Sequence, residues 1–284
     1  MSDKLRLLVI RSRKSRVDAA WETINEFLCG CEQPVDIVHV HETDDPLPED
    51  IEADLAVVLG GDGTIIRGCR KLKRNQIPIV GVNFGRLGFL ADLSPEAFQE
   101  NFSRFCEGRF SIVEHLMFEC THRTEGGQEE TFIGVNEVAV SSAGALAMLA
   151  VGLDIDDESV TTFSCDGLII STPVGSTAHS LSAGGPILRQ ELQAFVVTPI
   201  CPHALTNRPI VDSADRVYTM TIPDAPEGVM VVIDGQIKRP VAPGDSIEVK
   251  RLPETFKLAR LEGHSYYTTL HRKLGWGGQL RLNE

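Results

Sequence analysis

Near residue 109 the chain changes its pattern, and that change constrains the fold more than any single motif. Before it, strand and helix signals alternate. "LRLLVI" (5–10) reads as a buried strand, and residues 15–29 follow with Val17, Ala20, Trp21, Ile24, Phe27 and Leu28 at helical spacing and Gly30 as the stop. "VDIVHV" (35–40) is a second strand, "DDPLPED" (44–50) an acidic loop and "DLAVVL" (54–59) a third strand. A glycine turn and a helix over 64–74 come next, then a fourth strand in "IPIVGVN" (77–83). Residues 94–108 predict a helix with Ser94 as N-cap, Pro95 at the first position and Gly108 past the end. This alternation predicts an α/β domain with an open, mostly parallel sheet.

Beyond residue 109 most segments read as strands between turns: "SIVEHLMFEC", "TFIGVNEVAV", "ALAMLAVGLDI", "GLIISTP", "AFVVTPI", "RVYTMTIP", "GVMVVIDG", "DSIEVKR" and "FKLARL". Short strands with turn chemistry such as "EGGQ" and "APEG" predict an all-β, β-sandwich-like domain. The closing "SYYTTLHRKLGW" is helical again. The expected division is an α/β domain over 1–112, an all-β domain over 113–265 and a C-terminal helix over 266–284 that returns to the first domain.

Bulk properties exclude several classes of function. A chain of 284 residues, 42% hydrophobic and 24% charged, is long enough for two cores. A net charge of -13 without a long basic block argues against nucleic acid or an anionic membrane as partner. The longest apolar stretch, "ALAMLAVGL" (145–153), is far short of the roughly 20 residues of a membrane-spanning helix. The first residues show no signal-peptide pattern. Seven scattered cysteines without a C-x-x-C pair fit reduced thiols, so a cytoplasmic protein is expected and no metal-ligating set is assigned.

Three stretches carry chemistry. "VVLGGDGTII" (57–66) ends a strand and opens a helix, the position at which open α/β sheets bind ligands. Gly60, Gly61 and Gly63 are expected to turn with positive φ and offer backbone N–H groups to phosphate, with Thr64 at the start of the helix and its dipole adding to the effect. The turn is neither a Walker A loop nor a dinucleotide G-x-G-x-x-G fingerprint. The bland alternative is a tight turn with Asp62 as the helix cap. The second stretch, "DGLIISTPVGSTAHSLSAGGP" (166–186), turns through Gly175, Ser176 and Thr177 into a short helix, whose small hydroxyl residues suit phosphate or ribose oxygens. It contains no G-x-S-x-G elbow, which argues against a hydrolase. In the third, "VNEVAV" (135–140), Asn136 and Glu137 are adjacent polar residues in an apolar strand. Neighbouring strand residues face opposite sides, so one points inward or the strand bends.

Taken together, "GGDGT", "NE" some 75 residues later, "DGLIISTPVGSTAHSLSAGGPI" and "TPICPHALTNRPI" resemble the NAD kinase family. "GVNFGRLGFLADL" (81–93), "IDGQ" (233–236) and the closing "FKLARLEGHSYYTTLHRKLGW" extend the resemblance over almost the whole chain. "GGDGT" alone is shared with lipid kinases; its combination with "NE" and T-P-x-G-S-T-A is specific. The resemblance implies phosphorylation of the adenosine 2′-hydroxyl of NAD by ATP or polyphosphate, giving NADP. It also implies an α/β domain before an all-β domain, a ligand site between them, and a homo-oligomer, dimer or tetramer. Asp62 then matches the proton acceptor and a dinucleotide contact. Gly63, Arg67, Asn136, Glu137, Asp166 and the segment Thr177, Ala178, His179, Ser180, Leu181 and Ser182 match further contacts with NAD. Ser164, Cys201 and Gln236 correspond more loosely.

The chemistry of the residues agrees with this. Phosphoryl transfer through a loose transition state asks for an aimed hydroxyl and neutralised charge, with the proton accepted late, so a carboxylate suffices. Glycine amides and a divalent cation, Mg²⁺, offset the phosphate charge. Arg67 could assist, although "RGCRKLKR" also reads as basic decoration near a helix end. The sequence departs from the family at one point, reading "TAH" where T-A-Y is usual. His179 keeps a flat ring but is smaller and polar. The alternatives are an NAD(P)(H)-binding regulator without turnover, or a GGDGT lipid kinase, which would need a membrane-facing surface.

Overall fold

The computed structural model describes residues 4–43, 45–48, 50–85, 88–142, 148–263 and 265–276. The chain divides into two compact units, residues 1–113 with 257–284 and residues 114–256.

In the first unit, β1 (Leu5–Arg11), β2 (Val35–Glu42), β3 (Leu55–Leu59), β4 (Ile79–Val82) and β5 (Ser111–His115) alternate with α1 (Ser15–Gly30), α2 (Asp62–Leu72) and α3 (Pro95–Cys106). The sheet order is β2-β1-β3-β4-β18-β5, where β18 (Phe256–Arg260) comes from the far end of the chain. Every pairing from β2 to β18 is parallel. β3 and β4 are buried along their whole length, as strands covered on both faces must be. Val17, Ile24 and Leu28 of α1 and Phe98, Phe102 and Phe105 of α3 pack with Leu7, Val9, Val57 and Val80 into one core. Ser94 caps α3 as its sequence demands: its Oγ accepts from the Ala97 N–H, and Pro95 opens the helix. The closing helix α4 (Tyr266–Leu274) is capped by Ser265 and ends at the left-handed Gly275.

The second unit holds two antiparallel sheets. One has the order β10-β9-β14-β17-β6-β7 and the other β13-β12-β11-β8-β15-β16. In chain order these strands are β6 (Phe118–Arg123), β7 (Glu129–Gly134), β8 (Glu137–Ser142), β9 (Leu149–Ile155), β10 (Glu158–Cys165), β11 (Gly167–Ser171), β12 (Ala194–Ile200), β13 (Ile210–Ser213), β14 (Tyr218–Thr221), β15 (Val229–Ile233), β16 (Ile237–Pro240) and β17 (Ser246–Arg251). Alternate residues of both sheets meet in a single core. Phe118 and Cys120, Leu149, Val151 and Leu153 come from one sheet, and Val138 and Val140, Val229, Val231 and Ile233 from the other. That is a sandwich.

Several sequence expectations change. "FKLARL", counted with the all-β domain through residue 265, belongs to the first unit: β18 extends the parallel sheet beside β4. The apolar pattern of a strand does not say which sheet it joins. "SIVEHLMFEC" breaks between β5 and β6, and "TFIGVNEVAV" between β7 and β8, each break sending the chain to a different sheet. β10, β13 and β16 carried no clear signal. All three are edge strands, with little burial to impose alternation. α2 starts at Asp62 rather than Thr64. The expected acidic loop at 44–50, the start of the strand expected at 145–155, and the end of the C-terminal segment include residues outside those described.

Candidate active site

The first constellation is at the carboxyl end of the parallel sheet. From β1 the chain passes through α1 to β2 on one side; from β3 it passes through α2 to β4 on the other. The ends of β1 and β3 therefore flank a topological switch point, where ligands bind in open α/β sheets. A cleft of about 210 Å³ opens there, lined by Lys14, Arg16 and Val17 after β1, Gly60 and Gly61 after β3, and Asn83, Phe84 and Gly85 after β4. Arg16 is fixed across it, Nη1 donating to the Phe84 carbonyl at 2.8 Å. Lys14 and Arg16 were not singled out from the sequence, where "RSRKSR" reads as ordinary surface charge.

Only one of the three glycines needs its freedom to turn. Gly60 has φ +156, and a Cβ there would run into the Thr64 side chain. Gly61 is an extended N-cap with φ -89, and Gly63 lies in the first turn of α2. No side chain caps α2, whose positive dipole end lies at this turn, while the Thr64 and Ile65 N–H groups return to the Gly61 carbonyl at 2.8 and 3.2 Å. Thr64 is buried beneath the turn, and Arg67 is half-buried one turn further on.

Asp62 is not the helix cap. Its carboxylate reaches across to residues 89–91 and accepts three consecutive backbone N–H groups: Phe89 to Oδ2 at 2.8 Å, and Leu90 and Ala91 to Oδ1 at 3.0 and 2.9 Å. A carboxylate has about four lone-pair sites, so this arrangement leaves one on Oδ2. Gly88 makes the approach possible, because a Cβ at that position would overlap the Asp62 carboxylate.

The second and third constellations meet within the second unit. Asn136 and Glu137 sit where the chain leaves β7 for β8, so the strand bends rather than burying one of them in the sandwich core. The corner is organised by Asp234, which lies between β15 and β16 and is 5% exposed. Its Oδ1 accepts the N–H groups of Asn136 at 2.7 Å, Val135 at 3.2 Å and Glu137 at 3.2 Å, and Oδ2 accepts Val135 at 3.1 Å. On the other side, Thr172 holds the corner: its N–H donates to the Asn136 carbonyl at 2.8 Å and its Oγ1 to the Val135 carbonyl at 2.5 Å. Asn136 Oδ1 and Glu137 Oε2 are buried without a hydrogen-bond partner among the described residues. Such orphans are costly in a folded protein and mark a surface prepared for a polar ligand. Burial, and secondarily Asp234, push Glu137 up to about 8, so at neutral pH it is mostly protonated and able to donate.

The hydroxyls of the 176–180 turn do not all face outward. Ser176 Oγ donates to the Pro173 carbonyl at 2.6 Å and accepts the Leu188 N–H at 3.0 Å. Thr177 Oγ1 donates to the Val174 carbonyl at 3.0 Å, and Ser180 Oγ bonds Thr198 Oγ1 at 2.8 Å. Ser176 and Ser180 are fully buried, so they staple the turn instead of cradling a ligand. Ala178 and Leu181 are half-buried, while His179 and Ser182 are exposed. Ser164, Asp166 and Cys201 gather on another surface of this unit with His203. The His203 N–H donates to the Ser164 carbonyl at 2.8 Å, and its Nε2 lies 3.6 Å from Asp166 Oδ1. A hydrogen bond to Asp166 pushes the Cys201 thiol up. Gln236 is half-buried, two residues beyond Asp234.

A carboxylate-bearing glycine turn at the switch point of a parallel sheet, continued by an antiparallel sandwich, has the parts that a phosphotransferase requires. Residues 11–110 match the ATP-NAD kinase N-terminal domain and residues 135–261 the ATP-NAD kinase C-terminal domain. The chain belongs to the NAD kinase family. It is 46% identical over 235 residues to the NAD kinase of Rhodopirellula baltica, covering 83% of this chain and 76% of that protein. With the NAD kinase of Gemmatimonas aurantiaca it shares 39% identity over 238 residues, 84% of this chain and 82% of the other. Among solved structures, an NAD kinase from Archaeoglobus fulgidus in complex with ATP aligns with TM-score 0.76 and 30% identity, over 95% of this chain and 98% of that one. Yeast NADH kinase complexed with NADH shares the fold, with TM-score 0.86 at 22% identity, over 99% and 91% of the two chains.

Proposed function

We propose that this chain transfers a phosphoryl group from ATP or polyphosphate to the adenosine 2′-hydroxyl of NAD, forming NADP, with Asp62 accepting the hydroxyl proton. The observation that carries this reading is the Asp62 carboxylate, held by three backbone N–H groups at a sheet switch point with one lone-pair site left over. A loose transition state needs the nucleophile aimed and its proton received late, and a fixed carboxylate does both. Lys14, Arg16 and Gly61 line the adjoining cleft with positive charge and backbone suited to the donor phosphates, and the positive dipole end of α2 adds to them. Asn136 and protonated Glu137 offer one acceptor and one donor to the dinucleotide. Gly63, Arg67, Ser164, Asp166, Cys201, Gln236 and the 177–182 turn complete the proposed contacts, with Ser180 acting from within the turn.

No group of three or more His, Cys, Asp or Glu side chains among the described residues is placed to hold a metal ion. We treat Mg²⁺ as part of the substrate, carried on the donor phosphates as it usually is on nucleotides. No described helix is long and apolar enough to cross a membrane. We place the enzyme in the cytoplasm as a dimer or tetramer, on the reduced cysteines and the family resemblance. A lipid kinase or a regulator without turnover is not favoured, since relatives that align over most of the chain are NAD kinases. The test is NADP formation from NAD with MgATP and with polyphosphate in parallel; no NADP from either donor would sink the proposal.

A further inference from the structure

We propose that Arg260 is a positioning residue for the transfer step, acting on Asp62 through the segment 88–92. The inference rests on Asp62 being the proton acceptor. Arg260 ends β18, about 170 residues from the segment it holds. Its side chain is 7% exposed and that of its partner Asp92 is 14% exposed. Nη1 donates to Asp92 Oδ2 at 2.7 Å and Nη2 to the Phe89 carbonyl at 2.9 Å. Phe89 is thus gripped on both sides: its carbonyl accepts from Arg260 while its N–H donates to Asp62. The other end of the segment is pinned where the Asn83 N–H donates to the Leu93 carbonyl at 2.7 Å. Between these two points, the N–H groups of residues 89–91 all turn to Asp62.

The choice of residue fits this role. A planar guanidinium can reach a carboxylate and a carbonyl at once, which an ammonium does less well. A buried ion pair is a poor device for stability alone, since apolar packing often does as well. It does fix geometry, and here the geometry is that of the carboxylate that receives the proton. Ser111 Oγ donates to the Arg260 carbonyl at 3.2 Å, holding the backbone from which the guanidinium extends.

The test measures kcat and the KM for NAD in Arg260→Lys, Arg260→Met, and Arg260→Met combined with Asp92→Asn, the last removing both buried charges so that folding survives. Each is repeated in an Asp62→Asn background, with melting temperatures recorded. We expect Arg260→Met to lower kcat roughly 10- to 100-fold, the scale of a small misplacement of a reacting group, with KM changed by less than about threefold. Arg260→Lys should recover part of the loss. In the Asp62→Asn background the same substitutions should lower kcat by less than about twofold, because the group they position is gone. If the Arg260 substitutions lower kcat by the same factor in both backgrounds, or leave kcat intact in the presence of Asp62, the inference is overturned. If Asp62→Asn alone leaves kcat unchanged, it is the reading of Asp62 that fails.

Discussion

Two aspartates, one in each unit, use the same device toward different ends. Asp62 accepts the N–H groups of residues 89, 90 and 91; Asp234 accepts those of 135, 136 and 137. In both, a run of three amides converges on one carboxylate and fixes a bend in the chain. They differ in solvent access and in what lies beside them. Asp234 is 5% exposed and serves the corner that carries Asn136 and Glu137. Asp62 is half-buried at the start of an uncapped helix beside an open cleft. The same hydrogen bonds thus make a scaffold where the carboxylate is enclosed and, on the proposed function, a proton acceptor where it can still be reached.

The sharpest way to break this comparison is to neutralise each aspartate in turn. Asp62→Asn should lower kcat by about three orders of magnitude while the Kd for NAD stays within a small factor, as expected of a group that acts in the transition state. Parallel loss of rate and affinity would make Asp62 a binding residue instead. Gly88→Ala probes the same carboxylate from its other side: the added methyl displaces Asp62, and we expect a kcat loss of about 100-fold with a melting temperature lowered by only a few degrees. Asp234→Asn should show the opposite signature. The amide NH2 that replaces one carboxylate oxygen sets a donor against the converging N–H groups, of which Val135 reaches both oxygens, costing about 1–3 kcal/mol of stability, and the KM for NAD rises while kcat falls less than about threefold. A kcat loss as large as that of Asp62→Asn would erase the distinction.

Glu137 gives a test with a sign. Its carboxyl is raised from 4.5 to about 8 in the folded protein. Between those values the folded state holds a proton that the unfolded state has lost. Its contribution to stability is therefore full below 4.5 and declines by about 1.4 kcal/mol per pH unit as pH rises toward 8. Denaturant unfolding across this range should show that slope, and Glu137→Gln should flatten it while preserving NAD affinity at pH 7. The smallest effect is expected at His179, which is exposed at the start of the short helix His179–Ser182. His179→Tyr should keep NAD binding or tighten it by a few-fold by calorimetry; a large loss of activity would show that the imidazole is needed.

Local pattern made much of this readable in advance. β1, β3, β4, α1 and α3 were legible because burial on one or both faces imposes apolar spacing, and because Ser94 and Pro95 spell out a helix start. The glycine turn was legible as an anion site from its place between strand and helix. Asn136 and Glu137 stood out because two polar neighbours in an apolar run have to be explained. What those signals could not supply was the partner of each group. Asp62 bonds residues 27–29 positions away, Asp234 residues 97–99 away, and Arg260 residues 168–171 away. The serines of the 176–180 turn illustrate the same limit. A small hydroxyl at a helix start suits a ligand or a staple equally well, and Ser176 and Ser180 are staples.

The sequence by itself determined the change from an α/β to an all-β pattern, the glycine turn and the family to which the chain belongs, since these rest on short-range spacing and on motif chemistry. Only the tertiary structure decided that β18 completes the parallel sheet, that Gly88 is a glycine to admit a carboxylate, and that Asp62 caps no helix but is held by three amides. The physical reason is that hydrogen-bond direction and steric room depend on which distant segments meet, and one strand's apolar pattern fits more than one sheet.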